Sequence, residues 1–160
     1  MGSPSSDATC LFVLRVARPK GGPVPLETFH LRRHETALSV YRADLWTPRD
    51  VLNRYITPPP GKTNPKDLRA WEAQRGRTAE EAYDKGLCVL RLPISAFTDR
   101  GGRVIEDHAT PAHLSIAPPE GEEADAFFQR IARPLIEASL IVPLAELDKL
   151  IGASDRPASA

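Results

Sequence analysis

The chain has 160 residues, of which 41% are hydrophobic and 26% charged, and its 21 Lys and Arg residues balance 21 Asp and Glu residues. This length predicts a single domain, and the apolar fraction excludes a wholly disordered chain. The net charge of zero removes the simplest argument for a nucleic-acid or anionic-membrane partner. No apolar run approaches the roughly 18 residues that a membrane span needs, so we expect no membrane contact.

The cysteines bear on the compartment in which the protein works. Cys10 and Cys88, the two cysteines of the chain, lie in or beside apolar stretches and are too few for a secreted disulfide framework. We therefore expect buried, reduced thiols in a cytoplasmic protein. A single disulfide that joins two strands is the alternative.

The first part of the chain predicts strands. After a disordered tail at residues 1–9, the apolar residues 11–17 favour a first strand. Residues 29–33 and 37–43 alternate between apolar and polar side chains well enough to predict two more strands, which we expect to form a hairpin about His34-Glu35.

Proline is about twice as frequent as usual, at 16 residues of 160, and it marks helix starts. Thr47-Pro48 and Asn64-Pro65 each combine an N-cap residue with proline at the first helical position, and an acidic residue follows. These signals predict helices over residues 48–55 and from about 65 to 75. A proline-rich loop, residues 57–64, joins the two helices.

The middle of the chain predicts one more short helix and three strands. Thr78 begins a capping box for the helix, which Gly86 can end. The strands are expected over residues 87–92, 103–106 and 112–117.

The last part of the chain is helical in pattern. Apolar residues recur at helical spacing between 122 and 140, where Pro134 should kink or split the helix, and a final helix is expected over residues 144–151. We predict a single α+β domain over residues 10–152, with a mixed or mainly antiparallel sheet and C-terminal amphipathic helices packed on one face. The tail at 153–160 is expected to be disordered.

The histidines are the first candidates for chemistry. His30 and His34 fall in a predicted strand, where positions four apart lie about 13 Å from one another, so we expect no metal site there. His108 and His113 flank a proline-containing turn that can bring them face to face, and Asp107 can orient an imidazole or add a third ligand. Acid–base or metal chemistry at this cluster competes with a purely structural role, because the spacing matches no specific metal motif.

One segment resembles a known enzyme family. Val40-Tyr41-Arg42-Ala43-Asp44, continued by Leu45-Trp46-Thr47-Pro48-Arg49-Asp50-Val51-Leu52, is similar to the first catalytic strand and following turn of mono-ADP-ribosyltransferase toxins, over 13 of 160 residues. The resemblance implies an enzyme in which Arg42 would hold the NAD scaffold. For the Ser-x-Ser strand of that family, this chain offers the single Ser115. Apart from this resemblance, the sequence indicates no cofactor.

The zero net charge divides into two opposite halves. Residues 1–80 carry 13 basic and 8 acidic side chains, and residues 81–160 carry 8 basic and 13 acidic ones. If the halves segregate in space, a basic face opposes an acidic edge; the alternative is that they interleave and cancel locally. Such a basic face would be lined by Arg32, Arg33, Arg49, Arg54, Arg69, Arg75 and Arg77.

The leading functional hypothesis from these patterns is a small binding module that acts through protein contacts. Its expected surfaces are the arginine-rich region and, if it is not wholly packed, the amphipathic helix around Phe127 and Phe128. An enzyme that uses Arg42, or the cluster of Asp107, His108 and His113, is the alternative. Nucleic-acid contact through the basic half is a third hypothesis, and the sequence leaves the oligomeric state open. The residues of the arginine-rich surface are Arg54, Arg69, Arg75 and Arg77.

Overall fold

A computed structural model describes residues 11–152, whose framework is one open antiparallel sheet of six strands. The strands are β1 (Phe12–Ala17), β2 (Leu38–Arg42), β3 (Cys88–Pro93), β4 (Arg103–Glu106), β5 (His113–Ala117) and β6 (Leu140–Ile141). Across the sheet they follow the order β4-β5-β2-β1-β3-β6, and each pairing is antiparallel. The predicted α+β class is confirmed.

Five α-helices accompany the sheet in the described residues. They are α1 (Pro48–Ile56), α2 (Pro65–Arg75), α3 (Ala79–Asp84), α4 (Ser95–Thr98) and α5 (Ala124–Ala138). The first three begin where the capping signals placed them. At α1, the Thr47 side chain accepts a hydrogen bond from the backbone of Asp50, whose carboxylate accepts one from the backbone of Thr47.

The sheet buries apolar side chains on both faces because alternate residues of each strand point to opposite sides. On the first face, Val40 and Leu114 belong to a core that α5 covers with Phe127, Phe128 and Ile131.

On the second face, Leu14 and Val89 pack with α1, α3 and the C-terminal segment. No described residue of β4 or β5 belongs to this second core, and Ile105 of β4 remains 48% exposed. The second face is therefore closed over the centre of the sheet and open toward its β4 edge.

The predicted hairpin about residues 34–35 is wrong. Residues 26–29 form a 3₁₀ turn, and Phe29 is fully buried, with its ring centroid 6.2 Å from that of Phe97. A reverse turn follows, in which the Glu35 backbone N–H donates to the carbonyl of Arg32 and His34 has a φ of 74°. The alternation that suggested a strand instead reflects the burial of Phe29 beneath α5.

The C-terminal third differs from prediction in two ways. Helix α5 is a single helix that contains Pro134, and only a 3₁₀ turn, Leu144–Glu146, forms where a final helix was expected. Leu147 and Ile151 are nevertheless buried, but in the second core rather than beside α5. The short β6 and α4 had no sequence signal.

Three predictions concern the ends of the chain. The predicted disordered tails at residues 1–9 and 153–160, and any pairing of Cys10, lie outside the described residues.

Cys88 is a free, buried thiol. Within residues 11–152, no helix is both long and apolar enough to cross a membrane.

Candidate functional site

The structure brings Asp107 and His113 into direct contact. His113 begins β5, and Asp107 follows the last residue of β4, so the turn between the two strands places them side by side. Asp107 Oδ2 lies 2.9 Å from His113 Nδ1. The other oxygen of the same carboxylate accepts hydrogen bonds from the backbone N–H groups of Ala109 and Thr110, at 2.9 and 3.3 Å. The hydrogen bonds of the turn therefore position the carboxylate for its contact with the imidazole.

A third residue, Ser39, completes a hydrogen-bonded chain. Ser39 Oγ lies 2.9 Å from His113 Nε2. The strand register explains the contact: Ser39 of β2 pairs with Ser115 of β5, and Tyr41 pairs with His113, so all four side chains lie on the second face of the sheet. Ser39 and His113 are diagonal neighbours there, within the reach of a long side chain. The result is a Ser–His–Asp arrangement.

The hydrogen bonds define the protonation of this triad. The hydrogen bond with His113 and those from the backbone lower the pKa of Asp107, so its carboxylate is ionised at neutral pH and can only accept. His113 Nδ1 must then carry the proton toward Asp107. In a neutral imidazole, Nε2 is left as an acceptor for the Ser39 hydroxyl. This is the arrangement that a general base needs to activate a serine.

Ser39 also lines a cavity of about 700 Å³. The walls of the cavity come from β2, the C-terminal part of α1, the three prolines of the loop after it, and α2. Its volume is in the range of small-molecule sites. Ser39 therefore contacts His113 and also borders a space large enough for a substrate.

Arg15 fixes the backbone of the serine. β1 and β2 pair only at Val13 with Arg42 and Leu14 with Tyr41, and Arg15 lies where the two strands diverge. Its Nη1 donates to the Ser39 carbonyl at 2.7 Å, and its Nε donates to the Thr28 carbonyl at 2.6 Å. Burial lowers the pKa of Arg15 to about 10, which still leaves the guanidinium charged at neutral pH.

Arg75 also lines the cavity, where its guanidinium contacts two aromatic rings. Its Cζ atom is 3.6 Å from the ring centroid of Trp71 and 4.3 Å from that of Tyr55, and its Nη1 donates to the Tyr55 carbonyl. Its buried Nε has no hydrogen-bond partner in the described structure. Gly76, with a φ of 82°, ends α2 directly after Arg75. A Cβ at Gly76 would lie 2.8 Å from that of Glu81, so glycine permits the close approach of α2 and α3 that sets this wall.

The fold and the site are thus defined by their own geometry. Comparisons with protein-family models, with curated proteins and with solved structures gave no match to this chain. The interpretation of the site therefore depends on the arrangement of its own side chains.

The other candidates for catalysis lie apart from the cavity. The Arg42 guanidinium is engaged by Asp44, with Nε to Oδ1 at 3.0 Å and Nη2 to Oδ2 at 2.7 Å, and it does not line the cavity. His108 is exposed in the turn, and no interaction joins it to His113 among the described residues. Within residues 11–152, no three His, Cys, Asp or Glu side chains form a group that could hold a metal ion.

The residues proposed for binding lie in different parts of the structure. Arg54 and Arg75 line the cavity, whereas Arg69 is exposed outside it and Arg77 lies 4.0 Å from Glu72. Phe127 and Phe128 were candidates only if their helix was not wholly packed. Both side chains are fully buried, so that condition is not met. A protein partner stays a prediction, as does nucleic-acid contact.

An ion pair on the surface, from Arg49 to Asp148, joins the two charged halves of the chain. Arg49 donates to Glu80 at 2.7 Å and to Asp148 at 2.7 Å, which joins α1 to α3 and to the acidic half. This ion pairing lowers the pKa of Glu80 to about 2. Here the halves interleave and cancel locally.

Sequence reasoning did not single out Ser39. The signal available was weak: Ser39 lies between two core positions of a predicted strand, so it had to face away from that core. Finding its partner requires knowing that β2 pairs with β5, and 74 residues separate Ser39 from His113. A single sequence carries no sign of that pairing.

Proposed function

We propose that the protein is a serine hydrolase that cleaves an ester or a related acyl compound held in the cavity. Ser39 is the nucleophile, His113 the general base and Asp107 the residue that orients the imidazole. The observation that carries the proposal is the unbroken chain from Asp107 Oδ2 through both nitrogens of His113 to Ser39 Oγ, with 2.9 Å at each contact.

The first half-reaction forms an acyl-enzyme. Ser39 Oγ attacks the acyl carbon while its proton moves to His113 Nε2, and the carbonyl oxygen becomes an oxyanion. The guanidinium groups that line the cavity supply positive charge near this oxyanion. The bond from the acyl carbon to the leaving oxygen then breaks, and the imidazolium returns its proton to the departing alcohol.

The second half-reaction uses water. His113 Nε2 takes a proton from a water molecule, whose oxygen attacks the acyl carbon of the ester on Ser39. The bond to Oγ breaks, the proton returns to Ser39, and a carboxylic acid leaves. Throughout the cycle, Asp107 stays ionised and stabilises the charged imidazole, which agrees with its lowered pKa.

The test combines covalent labelling with turnover. A fluorophosphonate should add one phosphonyl group to Ser39, located by peptide mass spectrometry, and the protein should hydrolyse p-nitrophenyl butyrate. Ser39→Ala should abolish labelling and lower kcat/KM about 10²- to 10⁴-fold. The matched control is Ser115→Ala, because Ser115 is directly opposite Ser39 on β5 and has the same strand environment. Equal labelling and turnover in the wild type and Ser39→Ala would overturn the proposal.

A further inference from the structure

The cavity beside Ser39 has a marked excess of positive charge. Four arginines and one glutamate line it: Arg15, Arg32, Arg54, Arg75 and Glu35. Glu35 is turned to its own loop, where its Oε1 accepts a hydrogen bond from the backbone of Arg32 at 2.7 Å. The wall thus brings several guanidinium groups to one space.

The four cavity arginines form no ion pair, unlike three other arginines of the described structure. Arg42, Arg49 and Arg130 each form an ion pair with a carboxylate at 2.7 to 2.9 Å. Within residues 11–152, no cavity arginine has a carboxylate oxygen within 4.0 Å of its guanidinium nitrogens. None of the four is therefore neutralised by an ion pair, although the charge of Glu35 acts on Arg15.

Arg75 is partly buried and contacts two aromatic rings in the cavity lining. Burial lowers its pKa, and the neighbouring charges of Arg32 and Arg18 act in the same direction. The rings of Trp71 and Tyr55 lie against the guanidinium and Nη1 donates to the Tyr55 carbonyl, so Nε and Nη2 are the nitrogens left without an acceptor in the described structure. A planar guanidinium presented edge-on is suited to binding two oxygens of a carboxylate or phosphate.

We propose that the cavity binds an anionic oxygen group, a carboxylate or a phosphate, through Arg75 and Arg54, which both line it. This inference rests on the proposed function for one of its consequences, namely that the anionic group belongs to the substrate of Ser39. The substrate class is then an ester that carries a negative charge away from the scissile bond. Anion binding itself does not depend on catalysis.

The first experiment measures binding without turnover. In Ser39→Ala with Trp46→Phe, Trp71 is the single tryptophan of the chain and lies in the cavity wall. Titration with succinate and, separately, with inorganic phosphate should quench its fluorescence, and the tighter of the two identifies the oxyanion. Arg75→Met should weaken this binding at least about tenfold, whereas Arg77→Met, two residues further on and outside the cavity, should not. No quenching by either anion up to about 10 mM would overturn the inference.

The second experiment measures selectivity. Mono-p-nitrophenyl succinate and p-nitrophenyl butyrate have acyl chains of similar size and differ in the terminal carboxylate. The succinyl ester should be preferred, and Arg75→Met should reduce kcat/KM for it at least about tenfold more than for the butyryl ester. Arg75→Lys keeps the charge and should restore part of the preference, which separates loss of charge from loss of structure.

The two proposals fail in different ways. Anion binding without any hydrolysis would refute the serine hydrolase and support the anion site. Hydrolysis that depends on Ser39, with no anion binding and no preference between the two esters, would do the reverse.

Discussion

The two faces of the sheet differ most where β2 lies beside β5. On the first face, Leu38 and Val40 are at most 1% exposed and lie in the closed core beneath α5. On the second face, the alternate residues Ser39 and Tyr41 are partly exposed, and Ser39 lines the cavity. One short strand therefore contributes both to the main core and to the candidate site.

This difference shows how a small fold can hold a site rigidly. The packing of Val40 and Leu114 fixes the two strands, so Ser39 and His113 on the other side are held in register, and the His113 ring also lies 5.4 Å from that of Tyr41. Helices cover the second face only over its centre, and the open region toward β4 holds the polar Ser39 and His113 and the exposed Ile105. Sites carried by strands of the scaffold are more precisely placed than sites carried by loops.

The largest effect on stability should come from the closed face. Phe127 is fully buried against the sheet, so Phe127→Ala should lower the free energy of unfolding by about 3–5 kcal/mol, measured by urea denaturation. The matched change on the open face is Ile105→Ala, which removes a side chain that is 48% exposed and should cost less than about 1 kcal/mol. Similar losses for the two variants would show that the faces do not differ as described.

A second test asks whether the open face carries chemistry rather than stability. Asp107→Asn retains an oxygen for the backbone N–H groups of Ala109 and Thr110, but it no longer holds the proton on His113 Nδ1. We expect hydrolysis of p-nitrophenyl butyrate to fall about 10²- to 10⁴-fold, with little change in the urea midpoint. Asp44→Asn is the control, because that carboxylate pairs with Arg42 outside the cavity, and it should leave turnover intact. Unchanged activity in Asp107→Asn would contradict the proposed role of the triad.

Sequence and structure agree where the determinants are local. The helix starts at Pro48, Pro65 and Ala79 follow from capping residues within three positions. The turn that joins Asp107 to His113 is also local, because the two residues are six positions apart. They disagree where burial across the chain decides, as in the 3₁₀ turn that buries Phe29. For the same reason, two of the three residues of the triad were predictable. Asp107 and His113 are neighbours in sequence, whereas Ser39 joins them only through a long-range strand pairing.

The smallest expected effect returns to the closed face, at Cys88 of β3. Burial raises the pKa of this thiol from 9.0 to about 11, so it is protonated at neutral pH and should react slowly with a disulfide reagent in a Cys10→Ser background. The thiol has a lower pKa in the unfolded chain than in the native protein. Above pH 9 the unfolded state therefore binds fewer protons than the native state. Stability is therefore full below pH 9 and declines as the pH rises toward 11.

The melting temperature between pH 7 and 11 measures this decline. Cys88→Ala should flatten the part that begins near pH 9 and leave the part due to Tyr83, whose pKa burial raises from 10.0 to about 12. A Cys88 that reacts as fast in the native as in the urea-unfolded protein would contradict its burial. It would also show that the core on the first face is open to reagents. The difference between this closed face and the open face that carries Ser39 would then be lost, although both faces belong to the same sheet.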